Sequence, residues 1–146
     1  MKTKFTAALL LLLTGYVGGR MSSASAVASA AQPPAGHVYE LRTYTTNEGK
    51  LANLNARFRD HTMKIFAKHD IKSIGYWTPL EGPTGETTLV YLLEHPSREE
   101  ARKNWAAFGA DPDWQKARTE SEAGGRILAK APESVFLTPT DYSPLK

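Results

Sequence analysis

The alternation of residue types from Val38 to Thr45 predicts a first β-strand, because β-branched and aromatic residues fill most of this segment. Glu40, Arg42 and Tyr44 then share one face of the strand. After a turn signal at residues 47–49, apolar residues recur every three or four positions and predict one long amphipathic helix, from about residue 50 to residue 69. Its inward stripe consists of Leu51, Leu54, Phe58, Ile65 and Phe66.

Two further strand-like runs, residues 73–79 and 87–94, are separated by a segment with Gly and Pro and predict a β-hairpin with a long loop. Ser97 and Glu100 have the spacing of a capping box, so a second helix begins there. Its inner stripe is Ala101, Trp105 and Phe108. The Asp-Pro-Asp sequence at 111–113 ends this helix and begins a third, which stops at the glycines 124 and 125; residues 134–138 predict the last strand.

The resulting order, β-α-β-β-α-α-β, predicts an α+β fold of the ferredoxin-like split βαβ kind. Its four-stranded antiparallel sheet has helices on one face. The other face, which carries either the Glu40/Arg42/Tyr44 set or its opposite, needs a cover, and a second copy of the same sheet is the simplest one. We therefore expect a homodimer.

The first thirty residues have the order of a secretory signal: a basic start, a leucine-rich apolar run and then small residues. The apolar run is shorter than the roughly 20 residues that a membrane-spanning helix needs, which disfavours an uncleaved anchor. Signal-peptidase motifs end at Ala26 and Ala30, and cleavage after Ala30 is favoured. The expected organisation is a signal peptide at 1–30, a flexible spacer at 31–37 and one domain at 38–146 of an exported, periplasmic or secreted protein without membrane attachment.

The charge balance changes once this leader is set aside. The whole chain has a formal net charge of +3 and a pI of about 9.2. Lys2, Lys4 and Arg20 are the only charged side chains before His37, so the remaining chain has equal numbers of basic and acidic residues. A basic footprint for nucleic acid is therefore missing, and we expect no nucleic-acid partner. With no cysteine in the sequence, stability depends on packing and association.

Several motifs, in this order and structural context, resemble the NIPSNAP family. They are YELRTY at 39–44, GKL at 49–51, GYW at 75–77, SREE at 97–100 and DPDW at 111–114, and the closing FLTPTDY at 136–142 is similar to an exported bacterial branch. The resemblance implies the dimeric α+β barrel superfamily, which also contains cofactor-independent monooxygenases, haem-degrading enzymes and stress-response barrels. Membership sets the fold and leaves the function open.

Histidine is the residue type best suited to acid-base chemistry near neutral pH. His61 lies at the margin of the inward helix stripe, inside the helix, and is the best candidate for a catalytic base or a hydrogen-bond donor in a pocket, although a structural histidine satisfied by hydrogen bonds fits the same position. His69 is expected to contact the C-terminal end of the helix dipole. His37 and His95 fall at strand ends, where we expect contact with solvent.

Glu40 and Arg42 either grip a polar ligand or form a structural ion pair at the dimer seam. Large aromatic residues, Trp114 among them, are numerous for a domain of this size, and some are expected to line a cleft between sheet and helices. The predicted ligand-binding residues are Arg42, Tyr44, His61, Tyr76, Trp77, Tyr91 and Trp105.

No metal-ligand spacing or nucleophile motif is present in the sequence. The haem-degrading relatives hold iron with a histidine, but without a further ligand signature we expect no metal and no cofactor. Three functions stay open. The first is binding of a small apolar or aromatic molecule in the cleft, the second is an oxygenase- or isomerase-like reaction with His61 as base, and the third is a protein-interaction module.

Overall fold

The computed structural model describes residues 36–145, so the predicted signal peptide and residues 31–35 of the predicted spacer lie outside the described residues. Its four strands are β1 (Val38–Thr45), β2 (Lys72–Trp77), β3 (Thr88–His95) and β4 (Glu133–Leu137). They form one antiparallel sheet in the order β2-β3-β1-β4. The predicted hairpin is confirmed, because β2 and β3 pair directly.

The predicted long helix is present as three consecutive segments: α1 (Leu51–Arg57), a π-helical turn (Phe58–Thr62) and α2 (Met63–Lys68). The Thr62 hydroxyl donates a hydrogen bond to the carbonyl of Arg57, five residues earlier, at 3.2 Å. The helix is therefore continuous but locally wider than an α-helix.

Two further helices follow β3, α3 (Arg98–Ala110) and α4 (Pro112–Ser121), and a 3-10 turn (Pro83–Glu86) precedes β3. The Ser97 hydroxyl accepts the Glu100 amide at 3.1 Å, which confirms the predicted cap of α3. Asp111 accepts the Asp113 amide at 2.8 Å and begins α4 in the same way. The predicted element order is confirmed.

The helices cover one face of the sheet and enclose a core rich in aromatic residues. Phe58 packs edge-to-face against Tyr44, Phe66, Tyr76 and Tyr91 at ring-centroid distances of 5.2 to 6.1 Å. The buried cluster comprises Tyr44, Leu54, Phe58, Ile65, Phe66, Ile71, Leu89, Tyr91, Leu93, Phe108 and Ile127.

The centre of the opposite face of the sheet is apolar. Leu41 and its β3 partner Leu92 lie at its centre, half-buried. Trp77 and Val135, at the two sides, are each 53% exposed. Strand alternation places Glu40, Arg42 and Tyr44 on the helix-covered face instead, so the predicted position of the Glu40–Arg42 pair at a seam between two sheets is wrong.

Among residues 36–145, no helix has both the length and the apolar character that crossing a membrane requires.

Candidate functional site

Two separate cavities lie on the helix-covered face along β1 and β4, and we call them, together with the strip of sheet between them, the groove. β1 and β4 form its floor, and α3 and α4 form one wall. At one end lies a cavity of about 620 Å³, and at the other a cavity of about 260 Å³. The larger is lined by Glu40, Arg98, Glu99, Arg102, Trp105 and Phe136. The smaller is lined by residues that include Tyr44, Arg57, Trp114, Arg118, Arg126 and Lys130.

The pairing of β1 with β4 shows which residues lie between the two cavities. Glu40 and Tyr44 lie on the same face of β1 with Arg42 between them, at steps of about 7 Å. On β4, Phe136 pairs with Glu40 and Ser134 pairs with Arg42. Moving along the floor from Glu40 to Tyr44 therefore leads from one cavity to the other, past Arg42 and Ser134.

Glu40 is the centre of a buried polar network at the larger cavity. Its side chain is only 1% exposed and accepts four hydrogen bonds from side chains. One oxygen accepts Arg42 Nη1 and Ser134 Oγ, both at 2.6 Å. The other accepts Trp105 Nε1 at 2.7 Å and His95 Nε2 at 3.0 Å. The predicted Glu40–Arg42 ion pair is thus confirmed, with three further partners.

These contacts decide the protonation of Glu40. Burial alone would raise its pKa, but the four donated hydrogen bonds outweigh burial and lower the pKa to about 2. Burial also opposes the charge of Arg42, yet the neighbouring Tyr91, Tyr44 and Glu40 oxygens raise its pKa. Both side chains are therefore charged at neutral pH, and Glu40 is a weak proton acceptor.

Arg42 is clamped between aromatic rings. Its guanidinium carbon lies 4.2 Å from the centroid of the Trp105 ring and 5.6 Å from that of Tyr44, within the range of cation–π attraction. Its Nε is buried without a hydrogen-bond partner among the described residues. The clamp fixes a cation on the groove floor between the two cavities.

The predicted exposure of His95 to solvent is wrong. The residue was predicted to contact solvent at a strand end, but its side chain is fully buried, with 0% exposure. The reason is that α3 begins three residues later and that Glu40 accepts its Nε2. Since Glu40 is ionised, Nε2 carries the hydrogen of this bond. Nδ1 is buried without a partner in the described part of the chain.

The predicted position of His61 within a pocket facing the sheet is also wrong. Its side chain is exposed and borders a cavity of about 470 Å³ between its helix and α4, together with Asp113 and Lys116. The cause is the π turn: it holds more residues per turn than an α-helix, so positions after Phe58 fall behind a 3.6-residue wheel. Thr62 takes the inward position instead and is buried.

His69 forms an ion pair rather than serving only the helix dipole. Its Nε2 lies 2.6 Å from Asp111 Oδ2, and Lys68 Nζ lies 2.8 Å from the same oxygen. This contact ties the end of α2 to the junction of α3 and α4, so we assign His69 a structural position.

Of the predicted ligand-binding residues, the groove brings together Arg42, Tyr44 and Trp105. Tyr91, on β3, is 0% exposed and stacks at 5.6 Å on the partly buried Tyr76 of β2, so these two rings pack in or against the core and line neither groove cavity. Burial raises the pKa of both phenols. Trp77 lies on the opposite face of the sheet. The binding role of the groove residues stays a prediction.

Sequence reasoning missed three residues: His95 and Ser134 of the Glu40 network, and Arg57 of the smaller cavity. His95 and Ser134 lie 55 and 94 positions from Glu40 in the chain and reach it only through strand pairing and packing. Arg57 follows Leu54 by three positions and is 3% exposed. Because residues three positions apart lie on the same side of a helix, the position of Leu54 on the inward stripe indicated that Arg57 also points inward.

A cavity of about 640 Å³ lies at the other edge of the sheet, beside β2, and is lined in part by Met63, Ala67 and Ile71. It is larger than either groove cavity, but the charged groups at its rim are paired with one another. Glu94 contacts His37 at 2.7 Å and Lys72 at 2.9 Å. His95, whose Nδ1 lacks a partner in the described part of the chain, also lines this cavity. We favour the groove because two arginine nitrogens, Arg42 Nε and Arg57 Nε, are buried there without a partner among the described residues.

Within residues 36–145, no three His, Asp or Glu side chains are grouped to hold a metal ion.

The four-stranded antiparallel sheet with helices on one face, in the strand order β2-β3-β1-β4, defines an α+β fold of the ferredoxin-like split βαβ kind. The family model named NIPSNAP matches residues 39–144, and this chain therefore belongs to the NIPSNAP family. No curated protein matches the chain.

Solved structures agree with this assignment. The chain is similar to a NIPSNAP domain protein of Burkholderia xenovorans, at 24% identity over 73% of this chain and 98% of the other, with a TM-score of 0.62. A NIPSNAP family protein of Agrobacterium tumefaciens has 23% identity over 75% and 99%, with a TM-score of 0.65. SnoaB of Streptomyces nogalater, a cofactor-independent oxygenase, has 16% identity over 75% and 99%, with a TM-score of 0.50. At these identities the likeness shows the fold alone.

Proposed function

We propose that this NIPSNAP domain binds a small apolar or aromatic molecule in the groove between the sheet and helices α3 and α4. The arrangement that carries the proposal is the Glu40–Arg42–Trp105 network, which holds an arginine and an indole in fixed positions beside an open groove. The larger cavity has the volume of a typical small-molecule site, and Trp105 and Phe136 give it an aromatic lining beside four charged side chains.

Binding fits the groove better than acid-base catalysis by its carboxylate. Glu40 has a pKa of about 2 and already accepts hydrogen bonds from four side chains. It is therefore a poor general base at neutral pH. His61, the base in the enzymatic alternative, lies on the outer side of the helix. The oxygenase activity in the name of SnoaB belongs to that protein and supports no assignment for this chain.

We also propose that the protein is a homodimer whose subunits meet through the open faces of their sheets. Leu41, Leu92 and Val135 lie together on that face, and Trp77 adds a large ring that is half exposed. Contiguous exposed apolar surface of this kind marks an interface. Light scattering on the purified protein tests this: we expect the mass of two subunits, and a monomer at micromolar concentration would contradict it.

The proposed location is the periplasm or the exterior of the cell, which rests on the secretory order of residues 1–30. N-terminal sequencing of protein recovered from those fractions is expected to begin at Ala31, or at Val27 if the first site is used. Exported protein that still begins at Met1 would refute this.

The binding proposal is tested with N-phenyl-1-naphthylamine, a neutral aromatic dye whose fluorescence rises in apolar surroundings. Ser134→Phe places a ring over the groove floor opposite Arg42, and we expect it to weaken dye binding by about tenfold or more. Ser134→Ala is the matched control, since it loses the same hydrogen bond to Glu40 without filling the groove. Equal dye affinity in wild type and Ser134→Phe would overturn the proposal.

A further inference from the structure

The two ends of the groove differ in charge. At the Glu40 end, Arg98 and Arg102 face two carboxylates, Glu40 and Glu99, so the lining of that cavity is balanced. At the Tyr44 end, the lining contains four cations and one carboxylate, Glu122. The cations are Arg57, Arg118, Arg126 and Lys130.

Most of these cations lack a carboxylate partner of their own. Glu122 serves two arginines, with Arg57 Nη1 at 3.3 Å and Arg118 Nε at 3.9 Å. Lys130 pairs with Glu133 outside the cavity lining. Arg126 has no carboxylate within 4 Å in the described range 36–145. Two positive charges therefore remain in excess at this end.

Part of the excess positive charge is buried, because Arg57 lies inside the cavity and not on the surface of the protein. Its side chain is 2% exposed, and its guanidinium lies 5.3 Å from the Trp114 ring. Its Nε is buried without a hydrogen-bond partner among the described residues. Arg57 Nη1 also donates to the Ser121 hydroxyl at 3.3 Å. A buried arginine whose contacts are one hydroxyl and one long carboxylate contact, both from the same nitrogen, retains capacity for a second oxyanion.

The apolar walls of the same cavity restrict the ligand further. Tyr44, Trp114, Leu128 and Pro132 surround the cations and exclude part of the solvent. Such surroundings strengthen the attraction between opposite charges. A small inorganic anion would leave these walls without contacts, whereas a molecule with an aromatic body and an acidic group would use both.

We propose that the groove selects an aromatic or apolar molecule carrying one oxyanion group, which binds at the Arg57, Arg118, Arg126 and Lys130 end, while the apolar body extends past Arg42 toward Trp105. This rests on the proposed binding function and adds the class of ligand. A carboxylate, sulfonate or phosphate fulfils the same requirement.

Two dyes that differ by one group test the inference. 8-Anilinonaphthalene-1-sulfonate is N-phenyl-1-naphthylamine with an added sulfonate. We expect the purified protein to bind the sulfonate dye about tenfold more tightly than the neutral one. Rising salt should narrow this ratio, because the attraction to partly exposed cations is screened.

A second test removes positive charge from the Tyr44 end of the groove. The double variant Arg118→Gln/Arg126→Gln should weaken binding of the sulfonate dye by about tenfold and leave the neutral dye within about twofold. Lys116→Gln is the matched control: it removes one exposed charge from the same helix as Arg118, but it lies on the outer side near His61. Neither dye should respond to it.

The outcomes separate this inference from the proposed function. If the neutral dye binds and Ser134→Phe blocks it, but the double variant leaves the sulfonate dye unaffected, the groove binds ligands and the oxyanion site is refuted. Equal loss of both dyes in the double variant also refutes the oxyanion site. If neither dye binds the wild-type groove, the proposed function fails and the inference fails with it.

Discussion

Two carboxylates, Glu40 and Asp111, have similar contacts and different positions in the fold. Each side chain is 1% exposed, each contacts a histidine Nε2 and each pairs with a cation. In both, hydrogen bonds lower the pKa, to about 2 for Glu40 and further for Asp111, where Lys68 is the largest cause. The protonation chemistry alone does not distinguish them.

Their partners do distinguish them. Asp111 accepts a main-chain amide at the start of α4, and its contacts with the side chains of Lys68 and His69 join the end of α2 to that helix. Glu40 accepts only side chains, and three of these, Arg42, Trp105 and Ser134, border the groove. A buried ion pair of this kind is weak evidence for stability, because apolar residues of similar volume often fold as well. The fold explains Asp111, whereas the contacts of Glu40 fit its place in the proposed binding groove.

The largest expected effect comes from Glu40→Gln. The change leaves Arg42 buried without its carboxylate, and removal of one partner of a buried pair costs about 3 to 5 kcal/mol. Thermal and urea unfolding measure the loss. The double variant Glu40→Leu/Arg42→Met should be more stable than Glu40→Gln, since no uncompensated charge is left. If both variants were as stable as wild type, the network would have no energetic coupling.

The second expected effect is on the acid side of the stability curve. The pKa of Glu40 falls from 4.5 to about 2 in the folded protein, so its stabilisation is complete above pH 4.5 and is lost as the pH falls toward 2. The loss amounts to about 3 kcal/mol. Urea unfolding from pH 6 to pH 2 should show this decline in wild type and a shallower one in Glu40→Gln. Identical slopes would contradict the assigned pKa.

Asp111→Asn should lower the melting temperature by less than Glu40→Gln does, because asparagine still caps α4. Only the ion pairs to Lys68 and His69 are lost. Binding of N-phenyl-1-naphthylamine should be unchanged, since this residue lies away from the groove. A loss of dye binding comparable to that of Ser134→Phe would remove the distinction between the two carboxylates.

The smallest effect is expected for His61→Leu. The side chain is exposed on the outer side of the helix, so the free energy of unfolding should change by no more than about 0.5 kcal/mol. Dye binding should stay at the wild-type level. A marked loss of binding would restore His61 as a site residue.

Local pattern was sufficient for the fold and for part of the groove. Period-two alternation put Glu40, Arg42 and Tyr44 on one face, and capping signals placed the starts of α3 and α4 correctly. The remaining features depend on information that no local window contains. His95 reaches Glu40 only through strand pairing, and the exposure of His61 depends on a π turn that a 3.6-residue wheel does not represent.

The positions of the three tryptophans give each proposed event its own optical signal. Trp105 and Trp114 stack on arginines along the groove, whereas Trp77 lies on the open face and is half exposed. Occupation of the groove should alter the emission of the first two, and subunit association should shift the emission of Trp77 to shorter wavelength. Replacing Trp77 by Phe would therefore leave a chain whose intrinsic fluorescence reports on the groove alone.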